Sequence, residues 1–139
     1  MAYQTAMREI KALLRKQHDS HWDEVPGIRQ TRIFMGDGTR VRVRELLNLG
    51  REQLRRAVGL ITGHGSLRKH LHQMGREQDP ECRMCGEEEE TPLHLISECV
   101  ALQAVRERAF GLHIVEQRDI KRIPIRTILD FLEKTELMR

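Results

Sequence analysis

All three cysteines of this 139-residue chain fall in one short stretch with a histidine: Cys82, Cys85, His94 and Cys99 spell C-x2-C-x8-H-x4-C. Two cysteines separated by two residues wrap a tight knuckle that aims both sulfurs at one ion, and a Cys3His set fills the tetrahedron that Zn²⁺ prefers. Four protein ligands leave no position for water, so the expected role is structural, with one zinc ion building a shape and catalysing nothing. The stretch QDPECRMCGEEEET offers almost nothing apolar to bury the first two cysteines, so metal rather than hydrophobic burial is expected to hold it together. A Cys82–Cys85 disulfide would leave Cys99 odd, and no apolar signal peptide points to an oxidising compartment.

The length suits one domain with a modest core and a zinc-built subdomain. We divide it into a basic helical region over 1–76, the knuckle and its following helix over 77–111, and a linker with a C-terminal amphipathic helix over 112–139 that packs on the same domain. Five aromatics, Tyr3, Trp22, Phe34, Phe110 and Phe131, are too few for a base-stacking platform. No apolar run approaches a bilayer span, so the expected location is intracellular, nuclear or cytoplasmic, with no membrane and no small-molecule substrate. The net charge of +3 hides an asymmetry. Residues 1–76 carry 15 Lys and Arg against 7 Asp and Glu, a net +8, whereas residues 77–139 carry 9 against 14, a net −5.

Met7, Ile10, Leu13 and Leu14 recur at helical spacing, which predicts an amphipathic helix over residues 3–18. Pro26-Gly27 interrupts it, a short helical or extended piece runs to Phe34, and Gly36-Asp37-Gly38 reads as a turn. Arg40, Arg42 and Arg44 alternate with Val41 and Val43; they share one side if the segment is extended and spread out if it opens a helix toward Leu46 and Leu47. Residues 51–62 form a helix with Leu54, Val58 and Ile61 on one stripe, stopped by Gly63. Ser66 is the expected N-cap of the next helix, which Gly75 closes. Thr91-Pro92 opens another, with His94 in its first turn. His94 and Cys99 lie about 140° apart on an ideal helix, so a break is expected near 97–99. Further helices run from about 101 to 110, ended by Gly111, and from Pro124 with Ile125, Ile128, Leu129 and Leu132 in register. The fold class is all-α, a small helical domain with a zinc knuckle.

The ordered string LLNLGREQLRRAVGLITGHGSLRKHLHQMG, followed by DPECRMCGEEEETPLHLISECVAL, resembles the tail of non-LTR retrotransposon polyproteins of the insect Jockey-like LINE class. There an L-L-T-G-H-G segment and a short helix precede a C-x2-C-G-x-E-x-E-T-x-x-H-x4-C cluster. The matching residues are Ile61, Thr62, Gly63, His64 and Gly65, then Cys82, Cys85, Gly86, Glu88, Glu90, Thr91, His94 and Cys99. The likeness covers about residues 5–111, and Val100 stands where family members often carry proline. It implies a segment that follows the reverse transcriptase and ribonuclease H regions and helps bind element RNA or target DNA while the polymerase primes from nicked DNA. It does not imply catalysis, and the chain shows no polymerase Asp-Asp motif and no set of ribonuclease carboxylates.

Arg40, Arg42, Arg44, Arg51, Arg55, Arg56, Arg68, Lys69 and Arg76 are candidate phosphate contacts, against the alternative that they coat helix exteriors and pair with acids of the second half. His64, between two glycines, either reaches a nucleic-acid ligand or braces a helix junction. His70 and His72 read as surface or knuckle contacts, and the glutamate run 87–90 as a complement to the following helix dipole. The rival reading is a protein interaction module that uses the helices and the acidic zinc face.

Overall fold

The computed structural model describes residues 2–36 and 40–138. The expected all-α architecture is what forms: α1 (Ala2–Glu24), α2 (Arg29–Met35), α3 (Arg40–Leu47), α4 (Arg51–Thr62), α5 (Arg68–Gln73), α6 (Gln103–Phe110), α7 (Gln117–Ile120) and α8 (Ile125–Lys134). A π-helical turn, His94–Glu98, and a 3₁₀ turn, Val100–Leu102, lead into α6. Extended pairing among the described residues is limited to one isolated bridge, Glu81 to Glu89, inside the knuckle. Asp37 and Gly38 of the expected turn lie outside the described residues.

One core joins distant parts of the chain. Phe34 of α2, Ala57, Leu60 and Ile61 of α4, Leu95 and Ile96 of the π turn, and Ile125, Ile128, Phe131 and Leu132 of α8 are buried in the same cluster. The stripe on α4 sits differently from its expected place: Leu54 is half-buried and Val58 exposed, while Ala57 and Leu60 take the inner face with Ile61. The reason is a close crossing at Gly59, where an added Cβ would stand 3.0 Å from the Gly65 Cα. α4 therefore turns its glycine edge to the returning chain. Gly63 ends the helix in the left-handed conformation at φ 77°, as its position predicts.

Helix starts and stops divide into local and borrowed ones. Thr91 caps the turn that carries His94, its Oγ1 accepting the His94 N–H at 3.1 Å. Gly75 closes α5 in a Schellman arrangement, with the Arg76 N–H reaching the Leu71 carbonyl at 2.8 Å and the Gly75 N–H reaching that of His72 at 2.9 Å. Ser66, however, is exposed and is not the N-cap of α5: Leu67 holds that position with no side-chain cap. The Arg68 N–H is satisfied instead by the Glu90 carboxylate, 22 residues on, at 3.0 Å. The short helix α7, opened by a Glu116–Asp119 capping box, is an element that sequence periodicity did not indicate.

Residues 40–47 adopt the helical alternative, and α3 folds inside out relative to its hydrophobicity. Arg42 is 2% exposed, while Val41 is 67% and Leu47 77% exposed. The Arg42 guanidinium donates to the carbonyls of Phe34 (2.9 Å), Ile120 (2.9 Å) and Ile123 (2.8 Å) and pairs with Glu45 at 2.8 Å. Phe34 lies at the C-terminal end of α2, where helical carbonyls lack a partner along the helix and a cation suits the dipole, while the Ile120 carbonyl at the end of α7 is shared with the Ile123 N–H at 3.1 Å. One side chain thus ties α2, α3, α7 and the entry to α8 together.

Candidate metal centre

Three separate local devices bring the ligands together. Cys82 and Cys85 flank a tight turn closed by the Gly86 N–H on the Cys82 carbonyl at 2.8 Å, with Gly86 at φ 70°. The Cys82 N–H is held by the Glu88 carbonyl at 2.7 Å and the Glu90 N–H by the Pro80 carbonyl at 2.8 Å, so the knuckle is a small hairpin. His94 and Cys99 come from the π turn. An α-helix cannot aim residues five apart at one ion; here the Cys99 N–H bonds the His94 carbonyl at 2.7 Å, an i to i+5 bond whose wider turn brings the two residues nearly over each other. The helix then breaks at Cys99, where ψ turns to 115°. The expected break is present, and the wide turn before it accounts for the convergence.

The four ligand atoms all lie within 4.8 Å of one another, close enough to hold one metal ion. The Cys82 and Cys99 sulfurs are 3.9 Å apart, and the Cys85 sulfur is 3.3 Å from His94 Nε2. Zn–S bonds of about 2.3 Å and Zn–N bonds of about 2.0–2.1 Å in a tetrahedron would give separations of about 3.8 and 3.5 Å. Donor chemistry and spacing therefore both fit zinc. His94 Nδ1 is buried without a hydrogen-bond partner, and the nearest carboxylate oxygen, on Glu98, is 3.8 Å away. With Nε2 on the metal, Nδ1 carries the proton and faces that carboxylate, the usual outer arrangement of a metal-bound imidazole.

The thiols differ in their readiness to ionise. Backbone N–H groups of Glu87 and Glu88 stabilise the Cys85 thiolate and lower its pKa to about 6. Burial, and next the charge of neighbouring Cys82, push Cys99 up to about 12. Arg106, also buried, compensates for negative charge here: it donates to the Cys99 carbonyl, and the same burial pulls its own pKa down against the attraction of the Cys99 sulfur.

Comparison of the chain with protein-family models gave no match, and comparisons with curated proteins and with solved structures gave none either. The largest part of the site that sequence reasoning missed is Glu90. It is fully buried, whereas Glu87, Glu88 and Glu89 are exposed. Burial alone would raise its carboxyl, but the Arg83 guanidinium and the N–H groups of Arg83 and Arg68 outweigh burial and hold it below the usual carboxylate range. Arg83 in turn donates to the Leu137 carbonyl at 2.9 Å, joining the knuckle to the segment after α8. Nothing local in a run of four glutamates distinguishes the one that is buried.

The candidate nucleic-acid contacts scatter in their fates. Arg40, Arg44, Arg51, Arg55, Arg76 and His64 are exposed. Arg56 and Arg68 are half-buried, Arg68 donating to the Glu81 carbonyl, and Lys69 is paired with Glu89 at 2.6 Å. Arg42 is a correction: its donors are consumed inside the fold, so it has none to offer a phosphate. The His64 ring lies tilted against that of His70, centroids 5.0 Å apart, which fits a braced helix junction.

Proposed function

We propose that this chain is a zinc-stabilised nucleic-acid-binding module of retrotransposon-derived ancestry, serving reverse transcription by holding RNA or DNA rather than by catalysis. The observation that carries this reading is the exposed guanidinium set on consecutive helices. Arg40 and Arg44 stand one turn apart on α3, and Arg51 and Arg55 one turn apart on α4, after a linker of only three residues. Exposed arginines at this density contact backbone phosphates and displace counterions. Zinc, bound by Cys82, Cys85, His94 and Cys99, supplies rigidity to the knuckle that follows; the four-ligand set argues for a structural role.

The test is binding of the zinc-loaded chain to labelled single-stranded RNA, duplex DNA and a primed hybrid across a salt series. Contact with four phosphates predicts a loss of about 3.6 log units of affinity per decade of salt on duplex DNA. Replacing Arg40, Arg44, Arg51 and Arg55 by Gln removes that slope; absence of binding at low salt overturns the reading. A protein interaction module is the second reading, favoured by the exposed Val41, Val43, Leu47 and Val58 interleaved with those arginines. It predicts a shallow salt response.

A further inference from the structure

α1 buries none of its 23 residues, although its sequence is amphipathic. It is fastened to the body at its C-terminal end, where the Arg32 guanidinium donates to the carbonyls of Trp22 (2.9 Å) and Val25. The rest presents an apolar stripe to solvent, with Tyr3 75%, Ile10 48%, Leu13 63% and Leu14 59% exposed. Isolated helices are marginal in water, and a helix of about 34 Å with a bare stripe gains little by standing alone.

The stripe has a definite period. Tyr3, Met7, Ile10, Leu14, Gln17 and His21 alternate steps of four and three, the a/d seam of a coiled coil. The charges have a definite polarity. Residues 2–16 carry Arg8, Lys11, Arg15 and Lys16 against Glu9 alone, while residues 17–24 carry Asp19, Asp23 and Glu24 and no Lys or Arg. That order opposes the helix dipole, which favours acids near the N-terminus and bases near the C-terminus. A parallel partner would set basic half against basic half. An antiparallel partner of the same sequence places each half beside its opposite and lays complementary charge along both dipoles.

We propose that α1 is a homodimerisation helix that pairs antiparallel with α1 of a second copy of this chain. In the full-length register Ile10 faces Leu14, Met7 faces Gln17 and Tyr3 faces His21 of the second copy, with a two-fold axis at Ala12. Leu13 then meets its own counterpart beside the axis and widens the apolar centre. The polar layers sit at the ends of the seam, where water reaches them.

Sedimentation velocity of the zinc-loaded full chain over a concentration series tests this, with the double variant Ile10→Glu, Leu14→Glu alongside. The expected result is a reversible dimer whose dissociation constant rises on the order of tenfold or more in the variant. Zinc content of the variant stays unchanged, because the helix buries none of its residues in the core. Orientation is read from spin labels carried on a ketone side chain in place of Gln4, which leaves the zinc thiolates alone. The antiparallel register separates the two labels by about 24 Å, and a parallel one brings them within about 10 Å. A chain monomeric throughout, a dimer indifferent to the double variant, or the short label distance overturns the proposal. So does a monomer that sediments with anionic phospholipid vesicles, which would give the face to a membrane surface.

Discussion

The knuckle and the helical body are adjacent in space and built on opposite principles. In the body, Phe34, Leu60, Ile128 and Phe131 exclude water and the shape follows from burial. In the knuckle, residues 77–91 contribute Cys82, Glu90 and nothing larger and apolar to the buried set, so shape must come from bonds. A region held by burial degrades gradually when trimmed. A region that depends on four metal ligands, as the knuckle would with zinc in place, fails when any one of them is lost.

The largest expected effect starts in the knuckle. Cys99→Ser is expected to abolish zinc binding and the ordered structure around residues 80–100 and, because Leu95 and Ile96 lie in the shared core, to lower the stability of the helical body as well, read by metal content and denaturation; unchanged metal content would sink the ligand assignment. The converse variant, Phe131→Ala, costs the body about 3–5 kcal/mol. Chemical denaturation should register that loss, while the chelator concentration needed to strip zinc changes little.

Glu90→Ala strikes the joint between the regions. It leaves the N–H groups of Arg68 and Arg83 without their acceptor, and we expect a cost of about 2–3 kcal/mol together with weaker zinc retention. Because its folded pKa is depressed, the Glu90 contribution is complete above the ordinary glutamate range and fades as pH falls through the lower folded value. The wild-type chain should thus lose stability on acidification that the variant does not lose, as denaturation midpoints at pH 7 and pH 3 would report. The smallest effect concerns protons. At pH 7 Cys85, at about 6, is already largely thiolate, whereas Cys99, at about 12, must give up a proton to bind metal. Zinc titration in buffers of different ionisation enthalpy should show proton release rising as pH is lowered from 7 to 5, with affinity falling alongside.

These two regions were also unequally legible in the sequence. The cluster of Cys82, Cys85, His94 and Cys99 was readable because soft donors at fixed spacing have few other uses, and α8 because Ile125, Ile128, Leu129 and Leu132 repeat at one helical period. Arg42 was misread because its alternation with valines looks like a surface pattern, and the carbonyls that receive it lie 78 and 81 residues away. Glu90 was missed for the same reason: its partners are chosen by tertiary proximity, which a run of identical residues does not encode. The π turn was half legible. The spacing of His94 and Cys99 announced that an ordinary helix would fail, without saying that a wider turn would do the work.

The bonds of Arg42 also bear on the order of folding. Cys82, Cys85, His94 and Cys99 span a short loop whose closure costs little chain entropy, whereas joining Arg42 to Ile120 and Ile123 closes loops of 78 and 81 residues. Metal capture is accordingly expected to precede the docking of α8. In that order the knuckle is expected to serve as a preassembled bend that shortens the search by which the last helix finds the first ones.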